Sequence, residues 1–310
     1  MTEGPSSGGR RRLERERQLR RRRLGALSVA ALMLAALVFG LVRALGGESR
    51  PARTTATPPP TASALPEPPP PSRVNPKVAA RQRLEERAEL AVDRFVELGL
   101  PLYCGGNKGR YVALTFDDGP GPYTERYAFR IFRQAKVRVT WFVVGRNIAN
   151  WPKTPRRELE FGAVGDHTWT HSYLPGLDPN AMKSEIASTQ TELQRSTGRR
   201  ITLFRPPYGA HNAAIDRQVR ALGLLQVLWS IDSLDSQGAD WRGITKEVLD
   251  NVRPGSIILF HENRGQSIRA LKWNIFPGLR RRHFKTVSIP ELLALDPPTR
   301  KQLRAGPAGC

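Results

Sequence analysis

The 310-residue sequence predicts an α/β domain, a distorted or incomplete (β/α) barrel, over residues 105–296. The first observation behind this is that short apolar runs alternate with amphipathic stretches from Tyr111 onward. Runs at 111–116, 137–144, 203–205, 224–229, 256–260 and 284–287 have strand length, and helical periodicity fills 125–134, 180–195, 213–222, 244–251 and 267–280. Strands separated by helices pair in parallel, with the helices packed outside the sheet. The second observation is that the chemically capable residues cluster after the runs. Asp117 and Asp118 follow the first, Arg205 ends another, Asp232 lies just past Trp229, and His261 directly follows Phe260. Barrels of this class carry their active sites at the carboxyl ends of the strands, which favours a barrel over a doubly wound sheet.

The first hundred residues are of another kind. Residues 1–23 hold nine arginines against three glutamates, and residues 24–42 hold no charge. Nineteen residues at helical rise span roughly 28 Å, close to the ~30 Å hydrocarbon core of a bilayer. Residues 24–46 are therefore expected to form one transmembrane signal-anchor helix. The arginines on its N-terminal flank predict a cytoplasmic tail at 1–23 and a globular domain on the extracellular, cell-wall side. A cleavable signal peptide is the alternative reading. Residues 47–76 are proline-rich, including Pro58 to Pro60 and Pro68 to Pro71, and suit an extended spacer rather than a core. Residues 77–104 carry a helical pattern with Leu84, Leu90, Phe95 and Val96 between charges, either a stalk or a segment docked on the domain.

The formal net charge is +21. On an exported domain this favours anionic lipid or acidic wall polymers, and no nucleic-acid partner is expected. The only cysteines, Cys104 and Cys310, nearly bracket the globular region. In an oxidising compartment they can join and tie the tail 297–310 to the domain entrance; two unpaired thiols are the alternative.

Two constellations carry chemistry. Thr115-Phe116-Asp117-Asp118-Gly119-Pro120 places adjacent carboxylates at the end of an apolar run. His167-Thr168-Trp169-Thr170-His171 supplies imidazoles four positions apart, a spacing that puts both on one face of a helical turn. One carboxylate and two imidazoles can hold a divalent metal, leaving the second carboxylate as a base. This points to a metal-assisted hydrolase.

With Arg205-Pro206-Pro207-Tyr208-Gly209, the run Trp229 to Asp235 (WSIDSLD) and Ile258 to Glu262 (ILFHE), these motifs make an ordered set of five. In that order they resemble the polysaccharide deacetylases, the NodB-homology group of carbohydrate esterase family 4, over about three-fifths of the chain. The resemblance implies a NodB-type barrel that removes N-acetyl groups from an amino-sugar polymer. Peptidoglycan is the expected substrate; chitooligosaccharide, an exopolysaccharide or acetylated xylan are alternatives. A catalytically silent wall-binding module is the non-enzymatic alternative.

Residue by residue, the resemblance implies Asp118, His167 and His171 as metal ligands. Zinc is the expected ion, with cobalt, manganese or nickel as alternatives. Three protein ligands leave positions for water and substrate, as in catalytic sites. Asp117 matches the general base, Arg205 the partner that keeps it ionised, and the Tyr208 backbone N–H the oxyanion donor. His261 matches the general acid, and Asp232 the carboxylate that holds it. Three positions depart from the family pattern. Asp166 replaces an asparagine and adds a negative charge beside the ligands. Ser236 replaces an aromatic wall of the acetyl pocket, for which Trp241 is a substitute only if its loop folds back. Glu262 stands where aspartate is more frequent.

Overall fold

The computed structural model describes residues 75–310. The segments expected to form a cytoplasmic tail (1–23) and a membrane helix (24–46), and nearly all of the expected linker, lie outside the described residues. Among the described residues, no helix is long and apolar enough to cross a membrane.

The first described element is α1, Pro76–Leu98. Asn75 caps it by accepting from the Lys77 N–H, Pro76 pre-sets the first turn, and Gly99 ends it in the left-handed conformation. Ala88, Ala91, Val92 and Phe95 are buried on its inner face, so the segment is docked rather than a free stalk.

Eight parallel strands follow: β1 Tyr111–Gly119, β2 Val139–Val143, β3 Gly162–Asp166, β4 Leu203–Phe204, β5 Leu225–Gln226, β6 Ile231–Asp232, β7 Ile257–His261 and β8 Lys285–Thr286. Between them run α2 Phe129–Ala135, α3 Thr154–Glu158, α4 Pro179–Thr197, α5 Ala213–Ala221, α6 Trp241–Asn251, α7 Gly265–Ala270 and α8 Phe276–Arg281, and the chain closes with α9 Ile289–Leu295 and α10 Arg300–Ala305. The strand order is β5-β4-β3-β2-β1-β7-β6, with β8 pairing the start of β1. The barrel is thus incomplete between β5 and β6. Residues 102–105 seam the open side at its base: Leu102 donates to Gln226 and accepts from Leu228, and Gly105 donates to Gly255.

Two strands were not legible in sequence. β3 contains Gly162, Ala163 and Gly165, residues of low strand propensity, because its inner surface must admit bulk from its neighbour. A Cβ on Gly165 would come within 2.7 Å of the Phe142 ring. β6 has only two residues, too few to show a period.

Alternation along β1 separates two cores. Val112, Leu114 and Phe116 face the helices, where Phe116 stacks on Phe260 at 5.4 Å and meets Trp141 at 5.1 Å. Ala113 faces the barrel interior with Phe142, Leu203, Leu225 and Ile257. The base of this interior core is filled by Val92 and Phe95 from α1 and by Ile289 and Leu292 from α9. Thr115 and Asp117 continue the inward face of β1 to its carboxyl end, where apolar filling stops and polar chemistry begins. Cys104 and Cys310 form a disulfide, with Cα atoms 5.8 Å apart across a separation of 206 residues. A closed loop of this length adds roughly 5 kcal/mol in the chain-entropy model.

Candidate active site

The parallel register assembles the site. Asp117 pairs with Phe142 on one side and His261 on the other, so base and acid candidates are direct strand neighbours. Asp166 pairs with Phe204, which brings Arg205 and His167 into adjacent positions at the same rim.

Arg205 is fully buried, and four of its five guanidinium N–H donors are engaged. It donates to Asp117 Oδ1 at 2.7 Å, Thr115 Oγ1 at 2.8 Å, and the carbonyls of Val227 and Leu228, each at 3.1 Å. Its plane lies over the Phe142 ring, 4.2 Å from the centroid. A buried charge is tolerable only with such extensive pairing. Burial pushes the pKa of Asp117 above the ordinary carboxylate value, while Arg205, His261 and His171 oppose it. The result is a carboxylate held in one orientation and more basic than usual.

The donor set of Asp118, His167 and His171 converges, with one candidate ligand atom from each within 4.8 Å of the others. Asp118 Oδ1 lies 3.3 Å from His171 Nε2 and 3.7 Å from His167 Nε2. The histidines do not share a helical turn, as their spacing suggested. Thr168 and His171 both have positive φ, at 66° and 64°, so a left-handed loop after β3 turns the two rings toward one another. Backbone bonds fix that loop: Thr168 N–H donates to Asp166 Oδ1 and His171 N–H to Thr168 Oγ1. Asp118 also has a positive φ, of 70°, which turns its carboxylate away from that of Asp117.

The donor chemistry fits a divalent ion. His167 Nδ1 lies 2.7 Å from the Arg205 carbonyl; a carbonyl only accepts, so Nδ1 carries the proton and Nε2 presents its lone pair to the other donors. Burial lowers the pKa of His167 to about 3, against the opposing pull of Asp118, so the ring is neutral as a ligand must be. The side chains of His171 and Asp118 are 25% and 36% exposed, which leaves the donor set open on one side.

The acid position corrects the assignment made from sequence. His261 Nδ1 bonds Asp235 Oδ1 at 2.7 Å, not Asp232, and its backbone N–H donates to Asp235 Oδ2 at 2.9 Å. Ser267 Oγ adds a third bond to Asp235 at 2.6 Å. Asp232 instead accepts from the Leu234 N–H and shapes the loop. Leu234 has a φ of 62°, which reverses the chain and brings the second aspartate of the Asp-x-x-Asp motif under the histidine. That reversal has no signature in a leucine. Burial works against a charge on His261, but the Asp235 bond and the nearby Asp117, Asp235 and Asp118 carboxylates outweigh it, and the pKa is raised.

Tyr208 lies beside the donor set, its ring 4.8 Å from that of His171 in an edge-on arrangement. Its backbone is left-handed (φ 62°), and its N–H has no acceptor among the described residues. Gly209 is required here because a Cβ would approach the Trp229 ring to 2.8 Å.

The three departures resolve differently. Burial pushes the pKa of Asp166 well above the ordinary range despite the Thr168 N–H bond, so the side chain is held toward its neutral form and adds less negative charge than expected. Ser236 is exposed. Trp241 opens α6, with the guanidinium groups of Arg242 and Arg269 over its ring at 4.3 and 4.6 Å. Glu262 is buried against Gly119, where any Cβ would collide with it, and accepts from Thr124 Oγ1.

A carboxylate clamped by arginine and a histidine clamped by aspartate flank one converging Asp-His-His donor set at the rim of a parallel barrel. This defines a hydrolase of the α/β barrel class. Comparison with known proteins then specifies the family: the polysaccharide deacetylase model matches residues 105–227. A chitooligosaccharide deacetylase of Azorhizobium caulinodans is 33% identical over 195 residues, 58% of this chain and 92% of the relative. A peptidoglycan-N-acetylglucosamine deacetylase of Bacillus cereus is 29% identical over 221 residues, covering 68% of this chain and 78% of the relative. The crystal structure of the Bc1960 peptidoglycan N-acetylglucosamine deacetylase superposes with a TM-score of 0.60 at 29% identity, over 62% of this chain and 92% of that one. The chain belongs to the polysaccharide deacetylase family and is an N-deacetylase hydrolase.

Proposed function

We propose that the protein removes N-acetyl groups from the amino sugars of an extracellular polysaccharide, peptidoglycan foremost, and releases acetate. The observation that carries this reading is the direct strand pairing of Asp117 with His261 beside the donor set. Base and acid are thereby held on one rim, within reach of a single acetamide.

Asp118, His167 and His171 are the residues to hold a divalent ion, zinc by preference for a site of two imidazoles and one carboxylate. When bound, such an ion supplies Lewis-acid polarisation of the carbonyl and lowers the pKa of water. Asp117 accepts the proton of the attacking water; Arg205 holds its Oδ1, and Oδ2 faces the donor set, 3.6 Å from His167 Nε2. The Tyr208 N–H, without an acceptor among the described residues, stabilises the charge that develops on the carbonyl oxygen. His261 is protonated by virtue of Asp235 and donates to the departing amine nitrogen. Acetate and a free amino sugar result.

The relatives named as chitooligosaccharide and peptidoglycan deacetylases support this substrate class, in which both polymers present N-acetylglucosamine. The uncharged run at 24–42 behind an arginine-rich tail supports a single-pass anchor with the catalytic domain on the wall side. The test is acetate release by the full chain in detergent, on peptidoglycan and on chitooligosaccharides, with and without a chelator. Release that stops on chelation and returns with zinc is expected; release untouched by metal removal sinks the mechanism. Protease accessibility of residues 75–310 from outside intact cells tests the topology.

A further inference from the structure

Residues 264–282 hold six lysines and arginines and no acid. After β7 they form one unbroken helical rod: α7, a π-helical turn at Leu271–Ile275, and α8. The rod leaves the carboxyl end of β7 and ends just before β8, which pairs the start of β1, so it spans the flank of the barrel from rim to base. Its inner side is buried through Ala270, Leu271, Ile275, Phe276 and Leu279. Arg264, Arg269, Lys272, Arg280, Arg281 and Arg282 are all exposed. Among the described residues none of these six makes a salt bridge, whereas helical arginines elsewhere find acids, as Arg81 does in Glu85 and Arg195 in Glu192. The acids of neighbouring α6 are already engaged: Asp250 holds Lys246 at 2.6 Å, Glu247 accepts from Asn251, and Asp240 caps the helix.

Indoles lie among these charges. Trp273 is 66% exposed, with Lys272 Nζ 4.2 Å from its ring centroid. Arg269, four residues earlier and so one turn back on the same side, reaches over to the Trp241 ring of α6, which Arg242 covers as well. Three cations and two indoles thus form a strip across α6 and the rod. Cations alone suit any polyanion. Indoles beside cations on the convex outer side of a helix suit the boundary of a lipid leaflet, where rings settle at headgroup level and charges meet phosphates. The two large cavities of the domain lie elsewhere, one along α4 and one between α1 and the bases of β3 and β4. We propose that this flank docks on an anionic lipid surface, with Trp273 among the headgroups and Arg269 and Lys272 on lipid phosphates. The proposal does not depend on the deacetylase reading. Docked along the rod, the domain opens its active rim parallel to the membrane and leaves the site accessible.

All six tryptophans of the chain lie between residues 141 and 273, so indole fluorescence of the full chain in vesicles reports on this domain alone. In vesicles of phosphatidylcholine with phosphatidylglycerol brominated near the headgroup, wild type is expected to be quenched, and raised salt to relieve the quenching. Vesicles of brominated phosphatidylcholine alone quench little. Trp273→Phe loses most of the quenching. Arg269→Ser with Lys272→Ser lowers the ratio of docked to undocked protein roughly tenfold to thirtyfold, the scale of two cations at a lipid surface. Arg269→Lys with Lys272→Arg keeps the charge and the quenching. Quenching that is equal in wild type and Trp273→Phe overturns the proposal, as does quenching untouched by the double serine change or by the absence of anionic lipid. Polyphosphate bound by wild type and lost in the double serine variant, with no lipid quenching, makes the flank a polymer site and overturns the lipid assignment.

Discussion

At the scale of single residues, the adjacent aspartates are separated by backbone conformation into two environments. Asp117 lies on the inward face of β1 against a buried arginine, whereas the positive φ of Asp118 turns its side chain toward the histidines. Asp117→Asn is therefore expected to lower kcat by roughly 10²–10⁴-fold with metal content unchanged, as read by kinetics and metal analysis on the same preparation. Asp118→Asn should lose metal instead; normal metal content in that variant removes it from the ligand set. Asp235 raises the pKa of His261 through its hydrogen bond and charge, and the acid must be protonated to act. Removing that charge in Asp235→Asn lowers the pKa, so the alkaline limb of the pH profile moves to lower pH. Asp232→Asn leaves the limb in place, and the reverse outcome would restore the assignment read from sequence. Glu262 supplies a stability counterpart. Burial first, then the charges of Asp118 and Asp117, raise its pKa to about 8 against the Thr124 bond. A carboxyl with a raised folded pKa contributes full stability below its unfolded value and loses it as pH rises toward 8. Glu262→Gln should therefore gain stability over wild type between about pH 5 and pH 8, on the order of a few kcal/mol, in thermal melts of metal-free protein across that range.

At the scale of elements, legibility followed length and composition. The long amphipathic segments are helices within a few residues of their expected ends, as with 180–195 inside Pro179–Thr197. Five of the six strand runs contain or overlap strands of at least two residues on the same pairing path, and 284–287 contains β8 on a side branch. β3 escaped because its glycines serve tertiary contact with Phe142, which runs against strand propensity. The histidine loop escaped for a related reason: Thr168 and His171 adopt left-handed backbone that only their neighbours' hydrogen bonds stabilise. The position of α1 was open between stalk and docked helix, and packing decided it. Phe95 lies in the interior core with Leu292 and Leu293 of α9, and Arg87 donates to the Ala294 carbonyl at 2.9 Å. Phe95→Ala is expected to cost roughly 3–5 kcal/mol of stability by cavity formation, measured by urea unfolding. A change below 1 kcal/mol would return α1 to the status of a stalk.

For the molecule as a whole, the last described residue is tied back to the segment between α1 and β1. The Cys104–Cys310 disulfide joins the seam segment to the residue after α10, and residues 102–105 bond the barrel base. Reduction, or Cys310→Ser, is expected to lower the melting temperature, with roughly 5 kcal/mol as the chain-entropy estimate. Metal affinity should be little altered, because the site lies at the opposite rim, fixed by β1, β3 and β7.

The sequence alone determined the residue types and their order. Paired carboxylates, spaced imidazoles, an arginine before two prolines and a histidine closing an apolar run are chemistry written in single letters, and strand-helix alternation is a local period. Tertiary structure decided which carboxylate serves which partner. Asp232 and Asp235 are equivalent in the string and differ only after Leu234 reverses the chain. The charge of Asp166 is likewise a matter of burial, which no neighbouring letter reports. Side-chain identity is local information, whereas desolvation and left-handed turns depend on what the rest of the chain packs around them.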